Sequence, residues 1–142
     1  MSKHYAKSRW EGNLIKGEGS FTLQTSGYTG KVTFPSRFED DKKNSSPEEL
    51  IGAAHSTCFS MALAHALDQA GYQPQVIDTN AEVTLSKTGE GFAISEVLLK
   101  TKASVKDIEH DKFQQIARQA KENCPVSVAL KGITINLQAE LS

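Results

Sequence analysis

A cysteine inside a long uncharged segment is the feature of this sequence best suited to chemistry. Cys58 lies within residues 50–67, which contain no Asp, Glu, Lys or Arg although 23% of the chain is charged. On an α-helix, His55 would lie one turn before Cys58, and Glu48 two turns before His55. The other cysteine of the chain, Cys124, follows 66 residues later. A thiol, an imidazole and a carboxylate therefore share about three helical turns, and a second thiol is available.

Three kinds of chemistry are compatible with these residues. A zinc ion could bind His55, Cys58 and Cys124, with His65 as a fourth ligand, although the CxxC and HxxxH pairs of most structural zinc sites are missing. A Cys–His nucleophile for acyl transfer would also need an oxyanion donor and an orienting third group, which the sequence does not provide. A thiol redox pair needs Cys58 as a thiolate, a nearby cation, and Cys124 to resolve the oxidised sulfur. Two unrelated buried thiols are the alternative without function.

The element that must position Cys58 is predicted to be a long helix. Ser46 is a favourable N-cap, Pro47 suits the first helical position, Glu49 completes a capping box, and Gly71 predicts the end near residue 70. A helix that is uncharged on all sides is a buried one. Because a single chain of 142 residues would have difficulty covering it, we expect an obligate dimer.

The rest of the pattern predicts one α+β domain, residues 1–142, with mainly antiparallel sheet. Alternation of apolar and polar residues and the glycine-rich turns place the strands. They are expected at about 5–15, 19–25, 30–34, 77–87, 92–105 and 132–141. A second helix is expected over about 108–122 and a short one in "PVSVAL", whereas residues 36–46 are expected to form a polar loop.

The composition of the chain limits the classes of binding partner that we expect. A formal net charge of −1 and a pI of about 6.4 give no electrostatic footprint for nucleic acid or an anionic membrane. Residues 50–67 include two His, two Ser, a Thr and a Gly, so they would make a poor membrane span. The N-terminus lacks the apolar stretch of a signal peptide. We therefore expect a soluble cytoplasmic protein without a nucleic-acid or membrane partner, and no structural disulfide.

Several segments, in the same order along the chain, resemble one known family. They are "WEG" at Trp10–Gly12, "RFE" at Arg37–Glu39, "SPEELIGAAHSTCFSMAL" from Ser46, "GFAI" at Gly91–Ile94 and "CPVS" at Cys124–Ser127. The helical segment resembles the central-helix motif of OsmC proteins, within the OsmC/Ohr family of organic hydroperoxide reductases. The chain resembles the OsmC branch more than the Ohr branch, because the candidate arginine precedes the helix directly.

The resemblance implies a thiol-dependent peroxidase that reduces organic hydroperoxides to alcohols, an antioxidant activity of the stress response. Cys58 would be the peroxidatic cysteine and Cys124 the resolving one. Arg37 would hold Cys58 as a thiolate and orient the peroxide, and Glu48 would pair with Arg37. An external dithiol, such as a lipoyl group, would reopen the disulfide, and no metal, flavin or haem is implied.

The family fold is an intertwined homodimer, with antiparallel sheets wrapping two central helices and active sites at the subunit interface. Phe59, Met61 and Leu63, together with Phe38 near Arg37, are expected to line an apolar pocket for alkyl or lipid hydroperoxides, or else to lie in the core or the dimer interface. The alternative function is a non-catalytic redox sensor or binding module on the same fold.

Overall fold

The computed structural model describes residues 1–142, which divide into two compact units, Met1–Leu50 and Ile51–Ser142. The first unit contains an antiparallel sheet of three strands in the order β1-β2-β3, followed by one helical turn, α1. Their bounds are β1 Ala6–Glu11, β2 Glu18–Leu23, β3 Tyr28–Val32 and α1 Phe34–Phe38. The expected strands are confirmed, whereas α1 begins within the segment expected to be strand and loop.

Two glycines of the first sheet face aromatic rings. Gly19 pairs with Trp10, and Gly30 pairs with Phe21. A Cβ atom at Gly19 would lie 2.5 Å from the Trp10 ring, and one at Gly30 would lie 2.5 Å from the Phe21 ring. Only glycine lets the two aromatic side chains lie flat across the neighbouring strand.

The long helix α2, Pro47–Gln69, forms as predicted. The Ser46 hydroxyl accepts the Glu49 amide at 3.0 Å, as an N-cap does. The reciprocal half of the capping box differs, because the Glu49 carboxylate accepts from the Ser45 hydroxyl instead, at 3.2 Å. At the other end, Gly71 has φ +89° and ends the helix.

The second unit contains a three-stranded sheet in the order β4-β5-β6, which two helices accompany. Its elements after α2 are β4 Pro74–Thr88, β5 Gly91–Val105, α3 His110–Asn123, α4 Pro125–Ala129 and β6 Thr134–Leu141. Strands β4 and β5 are antiparallel, whereas β6 lies parallel to β5 because α3 and α4 form the crossover between them. Three of the four strand pairings are therefore antiparallel, which confirms the α+β prediction.

The hydrophobic core of the second unit forms between α2, α3 and the sheet. Its largest fully buried side chains are Phe59, Leu63 and Leu67 from α2, Phe113 from α3, and Val97 and Leu99 from β5. These residues of α2 recur every four positions, so one stripe of the helix supplies the core. The division of the chain into two units leaves the expectation of a single domain a prediction.

The opposite stripe of α2 is exposed. It comprises Ala53, Ala54, Thr57, Met61 and His65, and it carries no charge. Helix α2 is also long enough and apolar enough to meet the criteria for a membrane span, with a mean hydropathy of 1.3 over its most apolar segment. Core helices of soluble proteins meet the same criteria, and α2 contributes three large side chains to a protein core.

Candidate functional site

The short helix α1 positions the predicted arginine of the first unit. Thr33 and Ser36 form a complete capping box, in which the Thr33 hydroxyl accepts the Ser36 amide at 3.2 Å and the Ser36 hydroxyl accepts the Thr33 amide at 2.8 Å. Arg37 follows directly, in the last turn of α1. The capping box therefore fixes the direction in which the Arg37 side chain leaves the backbone.

Arg37 and Glu48 form a bidentate ion pair, the pairing that the family resemblance implies. The Arg37 Nη2 donates to Glu48 Oε1 at 2.9 Å, and Nε lies 3.1 and 3.3 Å from the two carboxylate oxygens. Glu48 is only 7% exposed, and the Arg37 guanidinium also lies 5.2 Å from the centre of the Phe38 ring. This geometry holds a permanent cation in a fixed orientation at the edge of an aromatic cluster.

An apolar cavity of about 290 Å³ lies beside Arg37, within the first unit. Phe34 and Phe38 form part of its wall, with ring centres 4.8 Å apart. Its other lining side chains include Trp10, Leu14, Phe21, Val32 and Leu50. The cavity therefore combines a mainly hydrocarbon lining with two guanidinium groups, that of Arg9 and the oriented one of Arg37, a suitable environment for an apolar molecule with a polar end.

The second unit brings the two cysteines together. Cys58, in the middle of α2, interacts through its thiol with the side chain of Cys124 and with the backbone amide of Val126. Both cysteines are free thiols, Cys124 fully buried and Cys58 partly so. Pro125 begins α4 directly after Cys124, so the start of that helix presents both Cys124 and the Val126 amide to Cys58.

The thiol of Cys58 is disfavoured from ionising within this single chain. Burial raises the pKa of Cys58, and the adjacent Cys124 side chain raises it further, whereas the Val126 amide lowers it. The direction is the reverse of what a reactive thiolate needs. The second unit therefore supplies two neighbouring sulfurs without the cation that the expected chemistry requires.

His55 makes a buried hydrogen bond that the sequence does not predict. Its Nε2 lies 2.8 Å from the Ser127 hydroxyl, while its Nδ1 is buried without a hydrogen-bond partner. Burial lowers the pKa of His55, so the ring is neutral at pH 7. The only signal for this contact was that His55 precedes Cys58 by one turn and Ser127 closes the "CPVS" segment.

This arrangement does not support the two alternative chemistries. His55 Nε2 is bonded to Ser127 and Nδ1 has no hydrogen-bond partner, so neither ring nitrogen is bonded to Cys58 and no Cys–His nucleophile is assembled. No three His, Cys, Asp or Glu side chains are placed to hold a metal ion, and His65 is exposed while Cys124 is buried. The zinc and acyl-transfer interpretations therefore have no geometric basis in this chain.

Part of the expected apolar pocket is wrong. Phe59 and Leu63 are 0% exposed and belong to the core of the second unit, so neither can line an open pocket. Met61 is 69% exposed on the uncharged stripe of α2, and Phe38 lines the cavity beside Arg37. The structure thus brings Arg37 to Glu48 and Cys58 to Cys124, and the roles assigned to these four residues stay predictions.

Similarity to known proteins extends over most of the chain. The family model described as OsmC-like protein matches residues 40–138. The chain is 44% identical to peroxiredoxin OsmC of Escherichia coli over 93% of each protein. It is 29% identical to organic hydroperoxide resistance protein OhrB of Bacillus subtilis, over 78% of this chain and 79% of OhrB.

The fold also matches solved structures. An OsmC-like protein of unknown function from Vibrio cholerae superposes with a TM-score of 0.75 over the full length of both chains, at 18% identity. The predicted OsmC-like fold is therefore confirmed. Together with the family-model match and the identity to the Escherichia coli protein, it establishes that this chain belongs to the OsmC-like protein family.

Proposed function

We propose that this protein is a thiol-dependent peroxidase that reduces organic hydroperoxides to alcohols. The observation that carries the proposal is the contact between the Cys58 and Cys124 side chains, which are 66 residues apart in sequence. Its relatives support the same activity, since one is named peroxiredoxin and another organic hydroperoxide resistance protein.

The first step is attack of the Cys58 thiolate on one peroxide oxygen. The O–O bond breaks, the alcohol leaves with a proton, and Cys58 becomes a sulfenic acid. The Cys124 thiol then attacks the oxidised sulfur, so that an S–S bond forms, the S–O bond breaks and water leaves. An external dithiol reduces this disulfide by exchange and is itself oxidised to a cyclic or linear disulfide.

Arg37 is the candidate for the cation that Cys58 lacks. A guanidinium stays charged when partly buried, and its ion pair with Glu48 offsets the cost of removing that charge from water. Placed near Cys58 in the assembled protein, it would lower the pKa of the thiol and oppose the effect of burial. Glu48 acts through Arg37, as the residue that orients it.

A homodimer accounts for the exposed stripe of α2. Within the chain, only 28% of the most apolar 18-residue segment of α2 is buried. A second copy of the same stripe would cover the Ala53, Ala54, Thr57, Met61 and His65 surface without burying a formal charge. This is the family arrangement, in which the active sites lie at the subunit interface.

The cavity beside Arg37 is proposed to take the organic part of the hydroperoxide. Its aromatic and aliphatic lining favours an alkyl or aryl group over water, and the Arg37 guanidinium can donate hydrogen bonds to the peroxide oxygens. The preference is therefore for organic hydroperoxides over hydrogen peroxide.

Steady-state kinetics with a dithiol test this proposal. We expect continuous turnover, with a higher kcat/KM for cumene, tert-butyl and fatty-acid hydroperoxides than for hydrogen peroxide. Phe34→Ala, at the cavity wall, should reduce this preference, whereas Phe92→Ala, at an exposed position of β5, should leave it unchanged. A single stoichiometric oxidation without turnover would instead indicate a redox sensor. A preference for hydrogen peroxide would contradict the apolar substrate site.

A further inference from the structure

A second link joins the same two helices that carry the cysteines. His55 lies one turn before Cys58 on α2, and Ser127 lies three residues after Cys124, in α4. The 2.8 Å bond between His55 Nε2 and Ser127 Oγ therefore runs beside the contact between the two sulfurs. Both partners of this bond are buried, at 0% and 6% exposure.

The bond is costly to break. His55 Nδ1 already lacks a partner, so loss of the Ser127 contact would leave the whole imidazole unsatisfied in the core. The Ser127 hydroxyl would lose its partner at the same time. The folded chain therefore favours the arrangement in which α4 stays docked on α2 at this point.

One side of helix α4 is open. It has only five residues, and the side chain of its N-cap, Cys124, makes no capping hydrogen bond. A cavity of about 290 Å³ lies against Ser127 and Val128, and Val128 is half exposed. Val126 and Leu130 pack α4 against the core, and the His55–Ser127 bond adds a directional polar contact to this packing.

We infer that His55 and Ser127 form a positioning pair that holds Cys124 in line with Cys58 while the disulfide forms. The inference rests on the proposed function and concerns its second step, in which Cys58–SOH and Cys124–SH become a disulfide and water. The sulfurs of the two free thiols must approach to an S–S distance of about 2.05 Å. The rate of such a closure depends on how often the two groups are already aligned, and a hydrogen bond one turn away limits the directions in which α4 can move.

Single-turnover kinetics can separate this step from the first one. The full-length protein is reduced, freed of dithiol and mixed with cumene hydroperoxide, and both sulfenic acid and disulfide are followed by rapid quench and mass spectrometry. The variants are Ser127→Ala, His55→Leu, His55→Gln and the double variant His55→Leu/Ser127→Ala. Ser60→Ala is the matched control, because Ser60 also lies on α2 and makes a 2.8 Å side-chain hydrogen bond, to Thr79 of β4.

Ser127→Ala and His55→Leu should slow disulfide formation by about tenfold or more, because alignment is lost, while Cys58 oxidation changes by less than about threefold. With excess peroxide, these variants should accumulate Cys58 sulfinic acid, since resolution no longer outpaces a second oxidation. His55→Gln should keep most of the rate, because a glutamine amide can reach Ser127 as the imidazole Nε2 does. Ser60→Ala should partition between disulfide and sulfinic acid as the wild type does.

The double variant guards against misfolding, because it buries no unpaired polar group. It should fold and resolve as slowly as the single variants. The inference is overturned if Ser127→Ala or the double variant forms the disulfide at the wild-type rate. It is also overturned if the rate of disulfide formation falls as much in His55→Gln as in His55→Leu. If wild-type Cys58 is not oxidised at all, the proposed function itself is wrong.

Discussion

The two compact units of the chain hold candidate functional side chains in contrasting environments. In the first, Arg37 and Glu48 are charged and satisfy each other through three short contacts. In the second, Cys58 interacts with Cys124, and a neutral His55 one turn away has a buried nitrogen without a partner. The first unit thus supplies an oriented charge and an apolar cavity, and the second supplies the sulfurs.

This difference indicates why neither unit is sufficient for peroxide chemistry. A guanidinium without a thiol has nothing to oxidise, and a buried thiol without a cation stays protonated. Within the second unit the pKa of Cys58 is raised, so the proposed peroxidase needs a positive charge from outside that unit. We therefore predict the effects of changing residues in one unit at a time.

Removal of the attacking sulfur should have the largest effect. Cys58→Ser should lower hydroperoxide turnover by at least about a thousandfold, as loss of a nucleophile does in other enzymes. Cys124→Ser should still reduce one equivalent of peroxide and then overoxidise at Cys58. Dithiol-coupled turnover and intact mass measure both outcomes, and normal turnover by both single variants would refute the assigned roles.

Removal of the Arg37 charge should have the second-largest effect. Arg37→Met should lower the rate of Cys58 oxidation at pH 7 by about 10–100-fold, because each unit of pKa rise removes tenfold of the thiolate. The deficit should shrink as pH rises, since alkali deprotonates the thiol without help. Lys31→Met is the control, because Lys31 forms a 3.0 Å ion pair in the same unit but at an exposed position. Matching pH–rate profiles for Arg37→Met and wild type would contradict this role.

A charge on the exposed stripe of α2 should disrupt the dimer. Met61→Asp should raise the dimer dissociation constant by about tenfold or more, since the carboxylate would be buried without a partner. Val76→Asp, on β4 and also exposed, is the control. Sedimentation velocity over a dilution series compares them, and equal dissociation of the two variants would place the interface elsewhere.

The buried imidazole should give a smaller, pH-dependent effect on stability. Burial lowers the pKa of His55 below its ordinary value of 6.5, so the unfolded chain binds a proton at higher pH than the folded one. The free energy of unfolding should therefore be undiminished above about pH 6.5 and fall below it, by at most about 1.4 kcal/mol per pH unit. His55→Gln should remove this slope and the exposed His4→Gln should not, as urea unfolding between pH 4.5 and 8 would measure. Equal slopes in His55→Gln and wild type would exclude a protonation effect at this site.

The sequence predicts the elements with strong local signals. Ser46, Pro47 and Gly71 define α2 because caps and turns depend on neighbouring residues. Helix α1 was missed because it is a single turn, specified by one Thr–Ser capping box inside a polar segment. The sequence left Phe59 between a pocket and the core, because no charged residue in 50–67 marks which side of α2 faces solvent.

Contacts between distant residues could not be derived from local pattern. His55 and Ser127 are 72 residues apart, and no periodicity relates them. The cysteine pair was expected only through the family resemblance, and the Arg37–Glu48 pair likewise. Local chemistry specified the elements, and the tertiary fold determined which side chains meet.

The most direct test of the central claim is the intact mass of the reduced protein after one equivalent of cumene hydroperoxide. We expect a loss of about 2 Da per chain, from the Cys58–Cys124 disulfide, which is absent when either cysteine is replaced by serine. A gain of about 16 or 32 Da at Cys58 in the wild type, with Cys124 remaining a free thiol, would contradict it.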